Sequence, residues 1–400
     1  MSCHQIYHPN YESPSNSNCF QSDPPSLYSQ PSLPSVPTLT SRVPHQECLS
    51  NVHHHCLVTL KGHNSYISSL TVAGKFLFTG SSDREIRSWK RNLQSSDYQD
   101  LPNNVMAVGK GAVKSLVVLG DKLFSAHQDH KIRVWKIISD DPNHQKYTHL
   151  ATLPTLGDRA LKLLLPKNQV QIRRHKKCTW VHHVDTVSAL ALSMDETLLY
   201  SVSWDRTLKI WRTSDFKCLE SVTNAHDDAI NALALSNHGD VYTGSADKKI
   251  KVWNKKIGEK KHSLVATLEK HNSGVNALAL SPDGSVLYSG ASDRSIVVWK
   301  KASGSGMVVV GALRGHTKSI LCLTVVSDLV CSGSADKTVR IWRDFEGNFS
   351  CLAILEGHTG PVKCLTGAVD NCNPSATSYS VYSGSLDCDI KIWKVTVPQL

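Results

Sequence analysis

No stretch of this 400-residue chain comes near eighteen consecutive apolar residues, so no membrane-crossing helix is expected. The opening residues hold no apolar run of the kind a secretory signal needs, and the expectation is a soluble, intracellular protein. There is no C-x-x-C pair among the twelve cysteines. That removes the common zinc and thiol-redox frameworks and leaves the cysteines as small, buried apolar residues in a reducing compartment. No glycine-rich phosphate loop and no acid–base pair that occurs only once stands out, so neither an enzyme nor a cofactor is expected. His53, His54 and His55 are consecutive but have no Cys/His framework around them, and no metal is assigned. Acidic residues are in deficit: 34 Asp and Glu against 44 Lys and Arg give a net charge of +10. Arg42 stands against Glu12, Asp23 and Glu47 in the first 55 residues, so the remainder carries the whole positive excess and would suit acidic or phosphorylated partners.

What the chain does have is a unit that recurs seven times. Its clearest copy is Cys331-Ser-Gly-Ser-Ala-Asp-Lys-Thr-Val-Arg-Ile-Trp342. Each copy ends in a tryptophan: Trp89, Trp135, Trp211, Trp253, Trp299, Trp342 and Trp393. An aspartate stands six positions earlier: Asp83, Asp129, Asp205, Asp247, Asp293, Asp336 and Asp387. Four before that stands a hydroxyl: Thr79, Ser125, Ser201, Thr243, Ser289, Ser332 and Ser383. Between Asp and Trp the pattern alternates apolar and polar, as in Val339-Arg340-Ile341, which predicts a strand. The residues before the hydroxyl predict a second strand, and Gly-Ser-Ala-Asp-Lys predicts the hairpin turn, where an Asp carboxylate can take the amides two residues on. Upstream, a histidine is followed by Val or Ile at +4 and Leu at +7: His63, His183, His226, His271, His316 and His358. Copy two has Gly109 instead. Each unit then supplies about four short strands.

This pattern resembles the WD-repeat β-propeller family over residues 55 to about 400, with Trp-to-Trp steps near the roughly 40–45 residues of a WD-type blade. The resemblance implies an all-β, seven-bladed ring. No repeat tryptophan is followed by aspartate; Lys90, Lys136, Arg212, Asn254, Lys300, Arg343 and Lys394 stand there instead. The resemblance also implies that the His, Ser/Thr, Asp and Trp of each blade form one buried hydrogen-bond chain. A Ser-His-Asp trio suggests a hydrolase triad, but no enzyme needs six of them around a ring. The last copy has no room for its own outer strand, so Cys56–Leu60 is expected to complete blade seven and close the ring. Deleting residues 1–50 would then be tolerated and deleting 1–62 would not.

Residues 1–54 are rich in Ser and Pro and read as a disordered tail, with two overlapping P-x-x-P patterns from Pro31 to Pro37. Blade two is followed by an insertion from about Ile138 to Trp180. It holds a short helix expected at Asp158–Leu165 and a basic tract, Arg173, Arg174, His175, Lys176 and Lys177. The tract is either an import signal or phosphate patch, or simply a solvated strand or loop. A second insertion, Gly367–Ser380, is expected as a loop in blade seven on the face opposite the His and Asp residues.

The His loop and the Asp turn must meet, which places both on one face, the top. The residue after each Asp then rings that face: Arg84, Arg206, Lys248, Arg294 and Lys337, with His130 and Cys388 in the other two places. Tyr66 and Trp204 lie on the same side. These residues are the candidate partner site, for an acidic or phosphorylated protein segment. The function expected is a non-catalytic, monomeric interaction scaffold of cytoplasm or nucleus, without direct nucleic-acid binding. The alternative is a substrate receptor of a cullin-type ubiquitin ligase, but the Trp-Asp-x-Arg signature of that class is missing. At finer grain Ser201–Trp211, the inserted Leu164–Asn168 with its basic tract, and the Ser/Pro-rich tail resemble plant JINGUBANG-type WD-repeat proteins. That resemblance implies a plant regulator working through transcription-factor or signalling partners. Some such relatives are labelled after a myosin heavy chain kinase, whose propeller they share; no kinase domain is present here.

Overall fold

The computed structural model describes residues 36–40, 52–91, 105–138, 146–163, 169–173, 176–256, 258–302, 306–345, 347–372 and 376–398. Seven four-stranded antiparallel sheets account for almost all of them. Six blades use four consecutive strands each: Ile67–Val108, Val113–Leu153, Val187–Val222, Ile230–Glu269, Val275–Leu313 and Ile320–Leu355. In the seventh, three strands from the C-terminal part (Val362–Cys372, Ala376–Ser385 and Ile390–Pro398) are joined by His53–Leu60. The pairing runs from His53 opposite Thr396 to Val58 opposite Ile392 and Leu60 opposite Ile390. Closure by an early strand is therefore as expected, though the strand starts at His53 and so takes two residues from the expected tail. The first strand of each blade touches the first strands of both neighbours all the way round, with Ile67–Ala73 against Val362–Cys372 at the closing joint.

The apolar core is divided among the joints. Seven clusters of buried residues each draw on two adjacent blades. Each repeat tryptophan packs against the blade before its own, as Trp342 of blade six does against Tyr288, Val298 and Leu313 of blade five. The glycine after the repeat hydroxyl lets the next blade approach. A Cβ on Gly290 would fall 2.4 Å from Ile320, and one on Gly333 would fall 2.7 Å from Val362. A polar side chain near the axis then bonds across every joint. Ser68, Ser188, Asn231 and Asn276 donate to the carbonyls of Val113, Ile230, Val275 and Ile320. Leu190 N–H donates to Ser115, and the Cys322 and Cys364 thiols reach the carbonyls of Val362 and Ile67 at 3.6 and 3.7 Å. Burial pushes the Cys322 thiol up to about 12, so it serves as a buried neutral group.

Three expectations need correction. The helix of the insertion runs Leu156–Leu163, two residues earlier than expected. Thr155 caps it by accepting the Asp158 amide at 3.2 Å, and the buried Asp158 carboxylate accepts the Cys218 amide of blade three at 2.9 Å. The blade-seven insertion is not a loop: it lengthens the first two strands, which stay paired out to Cys372 opposite Thr377. Arg91 from blade one pairs with Asp370 at 3.6 Å, and Tyr379 donates to Asp328 of blade six at 2.7 Å, so both neighbours hold this ribbon. Finally, residues 36–40, expected in the tail, pack against blades four, five and six. Residues 1–35 and 41–51 lie outside the described residues.

Candidate functional site

The repeat hydroxyl sits mid-strand and the aspartate in the turn that follows, so both face the loop that carries the histidine. In blade six, Trp342 Nε1 donates to Ser332 Oγ at 2.8 Å, Ser332 Oγ lies 2.8 Å from His316 Nε2, and His316 Nδ1 lies 2.8 Å from Asp336 Oδ2. The carboxylate can only accept, so in the neutral ring Nδ1 carries the proton and donates to it, Nε2 accepts from the hydroxyl, and the hydroxyl accepts from the indole N–H. The same chain recurs with His63, Thr79, Asp83 and Trp89, and with His183, Ser201, Asp205 and Trp211. It recurs again with His226, Thr243, Asp247 and Trp253, with His271, Ser289, Asp293 and Trp299, and with His358, Ser383, Asp387 and Trp393. The remaining carboxylate capacity takes backbone amides, such as those of Thr317 and Thr338 on Asp336. The groups of each tetrad are thus bonded to one another and to the backbone.

Blade two reaches the same end by another route. His127, from the second strand, bonds Ser125 at 2.8 Å and the Gly111 carbonyl at 3.0 Å, and Trp135 donates to Ser125 at 2.8 Å. A Cβ on Gly109 would fall 2.8 Å from the His127 ring, so glycine there is the condition for the swap. Asp129, released from histidine, pairs with Arg133.

Burial alone would raise these carboxyls, but the bonds from histidine and the turn amides outweigh it. They hold Asp83 and Asp247 down to about 2 and Asp205, Asp336, Asp293 and Asp387 below the usual range. Burial lowers His183, His316 and His358, and takes His127 to about 4. A histidine depressed in the folded state contributes stability above its ordinary value of 6.5 and loses it as pH falls towards its folded value. A depressed aspartate does the same from 3.8 down towards 2. The melting temperature should therefore be level above pH 7, decline from about 6.5 to 4, and decline again below 4. A melting temperature that rises on acidification from pH 7 to 5 would mean that the buried histidines are charged.

On the top face the residue after each repeat Asp is left-handed in all seven turns: Arg84 (φ 74°), His130 (65°), Arg206 (65°), Lys248 (74°), Arg294 (70°), Lys337 (75°) and Cys388 (70°). Side chains other than Gly, Asn and Asp are uncommon in that conformation. Arg84, Arg206, Lys248 and Lys337 are exposed, while Arg294 is half-buried and already engaged. Blade four also places Asp227 and Asp228 on this face, so the positive arc is broken there.

At the centre the structure adds residues that the sequence reading passed over. A cavity of about 130 Å³ is lined by Tyr66, Ser68, Lys114, Ser188, Trp204, Asn231, Asn276 and Lys363. Six of these stand five residues after the histidine position of their copy, facing the axis, and that spacing was the signal available. Lys114 Nζ donates to Tyr66 at 3.0 Å and lies 5.4 and 5.9 Å from the ring centres of Tyr66 and Trp204. Burial would raise the Tyr66 hydroxyl, but bonds with Ser82 and Lys114 and the charge of Lys363 lower it, as expected in a positive field.

Other candidates come to less. Among the described residues, His63, Asp83 and Glu85 form the only group with metal-ligand spacing, and both ring nitrogens of His63 are already taken. His53, His54 and His55 lie exposed on the closing strand. The basic tract falls at the end of a two-stranded ribbon, with Arg173 opposite Lys176 and Lys177 opposite Gln171; Arg174 and His175 lie outside the described residues. A cavity of about 390 Å³ between blades three and four, on the opposite face, is floored by Tyr200 and by a Glu220–His262 pair at 2.8 Å that ties the two outer strands together.

Comparison with known proteins agrees with this geometry. The chain is similar to the ribosome biogenesis protein WDR12 homolog of Trichoplax adhaerens, 24% identical over 56% of this chain and 55% of that protein. It is similar to apoptotic protease-activating factor 1 of Danio rerio, 25% identical over 56% of this chain and 17% of that one. Over a shorter span it is 43% identical to pre-mRNA-processing factor 19 of Oryza sativa subsp. japonica, covering 16% of this chain and 12% of that protein. The chain thus spans little more than half the length of these relatives at most. No helix among the described residues is long and apolar enough to cross a membrane. The family described as WD domain, G-beta repeat matches residues 54–90, 175–212, 216–254, 262–300, 307–343 and 349–394, passing over the stretch that holds the altered blade two. With six repeat matches over more than half its length, and a seventh blade formed by the stretch between them, the chain belongs to the WD40 family.

Proposed function

We propose that this WD40 propeller is an interaction scaffold whose top mouth receives an acidic or phosphorylated segment of another protein. The observation that carries the reading is the pairing of Lys114 and Lys363 in one small mouth beside Tyr66 and Trp204. Two ammonium groups near the axis suit a phosphate or a pair of carboxylates, and Trp204, 42% exposed, offers a flat apolar surface beside them. Arg84, Arg206 and Lys337, held out on left-handed turns, extend the positive field to the rim and steer an anionic segment inward. The finer resemblance to plant JINGUBANG-type proteins suggests that such segments belong to transcription-factor or signalling partners, met in nucleus or cytoplasm.

The test uses a fluorescent phosphoserine-containing acidic peptide and its unphosphorylated, neutral counterpart. Full-length protein should bind the first with an affinity that falls as salt rises. A chain carrying Arg84→Glu, Arg206→Glu and Lys337→Glu should bind it at least about tenfold more weakly, because rim charges act on encounter and specificity. Adding Lys114→Glu and Lys363→Glu should abolish binding while the melting temperature stays near that of the parent. Binding retained in the five-site variant would exclude the top face.

A further inference from the structure

Residues 36–40 belong to no repeat, yet they are built into the rim of the ring. Ala312 N–H donates to the Pro37 carbonyl at 2.8 Å, Leu39 N–H to the Ala312 carbonyl at 3.0 Å, and Phe349 N–H to the Leu39 carbonyl at 3.1 Å. Thr38 bridges Ala312 and Thr40 bridges Phe349, both in parallel sense. The segment thus adds a parallel strand to the outer edge of blade five and crosses to the outer edge of blade six. Val36, 2% exposed, enters the apolar cluster of the blade four–five joint. Leu39 packs on the cluster of the blade five–six joint. Arg314 fastens the span between them by donating to the Val36 carbonyl at 3.0 Å and to Thr38 Oγ1 at 2.9 Å. Pro37 contributes only its carbonyl to this pairing, so its missing N–H loses nothing, and its fixed φ lowers the cost of ordering the segment.

One residue explains why blade five accepts a strap. Gly311 lies opposite Val298 of the third strand. The matching positions are Ala151, Ala266 and Ala353 in blades two, four and six, Glu220 in blade three and Val58 in blade seven. A Cβ on Gly311 would fall 2.4 Å from Leu39 Cγ and 2.8 Å from the Pro37 carbonyl. A blade tolerates alanine there, as three others do; the strap does not.

We propose that the outer edge of blade five is a recognition site for an extended apolar-Pro-x-Leu segment, that Val36–Leu39 is its resident occupant, and that a partner protein bearing the same pattern takes the site by displacing it. Strand addition of this kind draws affinity from main-chain bonds and specificity from alternate pockets, here two pockets three residues apart. The site is separate from the top mouth, and its fate does not depend on the charges there. Tethering favours the resident, because a linked segment acts at an effective concentration of roughly millimolar. A free peptide therefore has to be tested on a chain whose resident is disabled.

The probe is a fluorescent peptide with the sequence of residues 33–42, titrated against three full-length chains. These are wild type, a Val36→Asp/Leu39→Asp chain, and that double variant with Gly311→Ala added. Binding to the double variant should be at least about tenfold tighter than to either of the others. In hydrogen exchange, the Ala312 and Phe349 amides should be slow in wild type, fast in the double variant, and slow again on adding the peptide. Melting curves of all three chains check that the ring is intact. Equal binding to the chain with Gly311→Ala, or no binding to the double variant, overturns the proposal. Charge reversal of the top face leaves this readout unchanged, so the two proposals fail separately.

Discussion

A chain lacking residues 1–62 is expected to be recovered in the insoluble fraction, whereas one lacking residues 1–35 is expected to be soluble and to melt with the full-length protein. The first deletion removes His53–Leu60, the outer strand of blade seven. Its partner Ile390–Pro398 then presents a free row of amides and carbonyls, the geometry that invites pairing with another chain. Leu60, 3% exposed, leaves the cluster it shares with Ile67, Ile390 and Ile392, and Lys391 loses its 2.8 Å bond to Thr59. Because this strand lies at the joint that closes the ring, its loss also weakens the hold of blades one and seven on each other. Deleting residues 1–50 is the informative intermediate. It keeps the closing strand but strips Val36 and Leu39 from the rim, so the protein should fold with a lowered melting temperature. The loss is at most about 1.5–3 kcal/mol for each of the two side chains. Sedimentation and thermal melts of the three truncations check this order; a soluble, monomeric product of the longest deletion would show that closure does not hold the ring.

Replacing Trp342 with alanine is expected to cost about 3–5 kcal/mol, among the largest effects of any single substitution in this chain. The indole is 1% exposed and fills the joint between blades five and six against Tyr288, Ile296 and Leu313. It is also the only donor at the head of the Ser332–His316–Asp336 chain. Alanine removes both the volume and the donor. Phenylalanine restores most of the volume but not the N–H, so Trp342→Phe should cost clearly less, leaving the loss of one buried hydrogen bond of roughly 0.5–1.5 kcal/mol together with imperfect packing. Urea unfolding of the two variants separates the contributions. Equal losses would mean that the hydrogen bond, not the packing, dominates.

The ring was legible because its units repeat. Fixed spacing from hydroxyl to Asp to Trp survives any change of loop length, and alternation such as Val339-Arg340-Ile341 fixes which side of a strand is buried. What escaped were features made by a single residue acting across the chain. His127 does the work of a histidine missing eighteen positions earlier, which a fixed spacing cannot reveal. Gly311 looks like any glycine in a strand until its empty side is found to hold Leu39. The Asn- and Ser-rich insertion of blade seven reads as a loop by composition, yet the pairing of Val369 with Tyr379 and the holds from Arg91 and Asp328 keep it as strand. Lys114 and Lys363 lie 249 positions apart and share a mouth only because the ring has closed.

The register of the closing strand has a mechanical consequence. His53 lies opposite Thr396, and the two strands run antiparallel, so the incoming and outgoing chain leave blade seven at the same end. A pull on both ends would load the bonds between these strands one at a time, as in peeling, instead of sharing the force along their length. Once the strap of residues 36–40 has been drawn off the rim, the propeller should therefore open at a low force by losing this single strand. Its remaining joints, each stapled near the axis, would then be left to give way in turn.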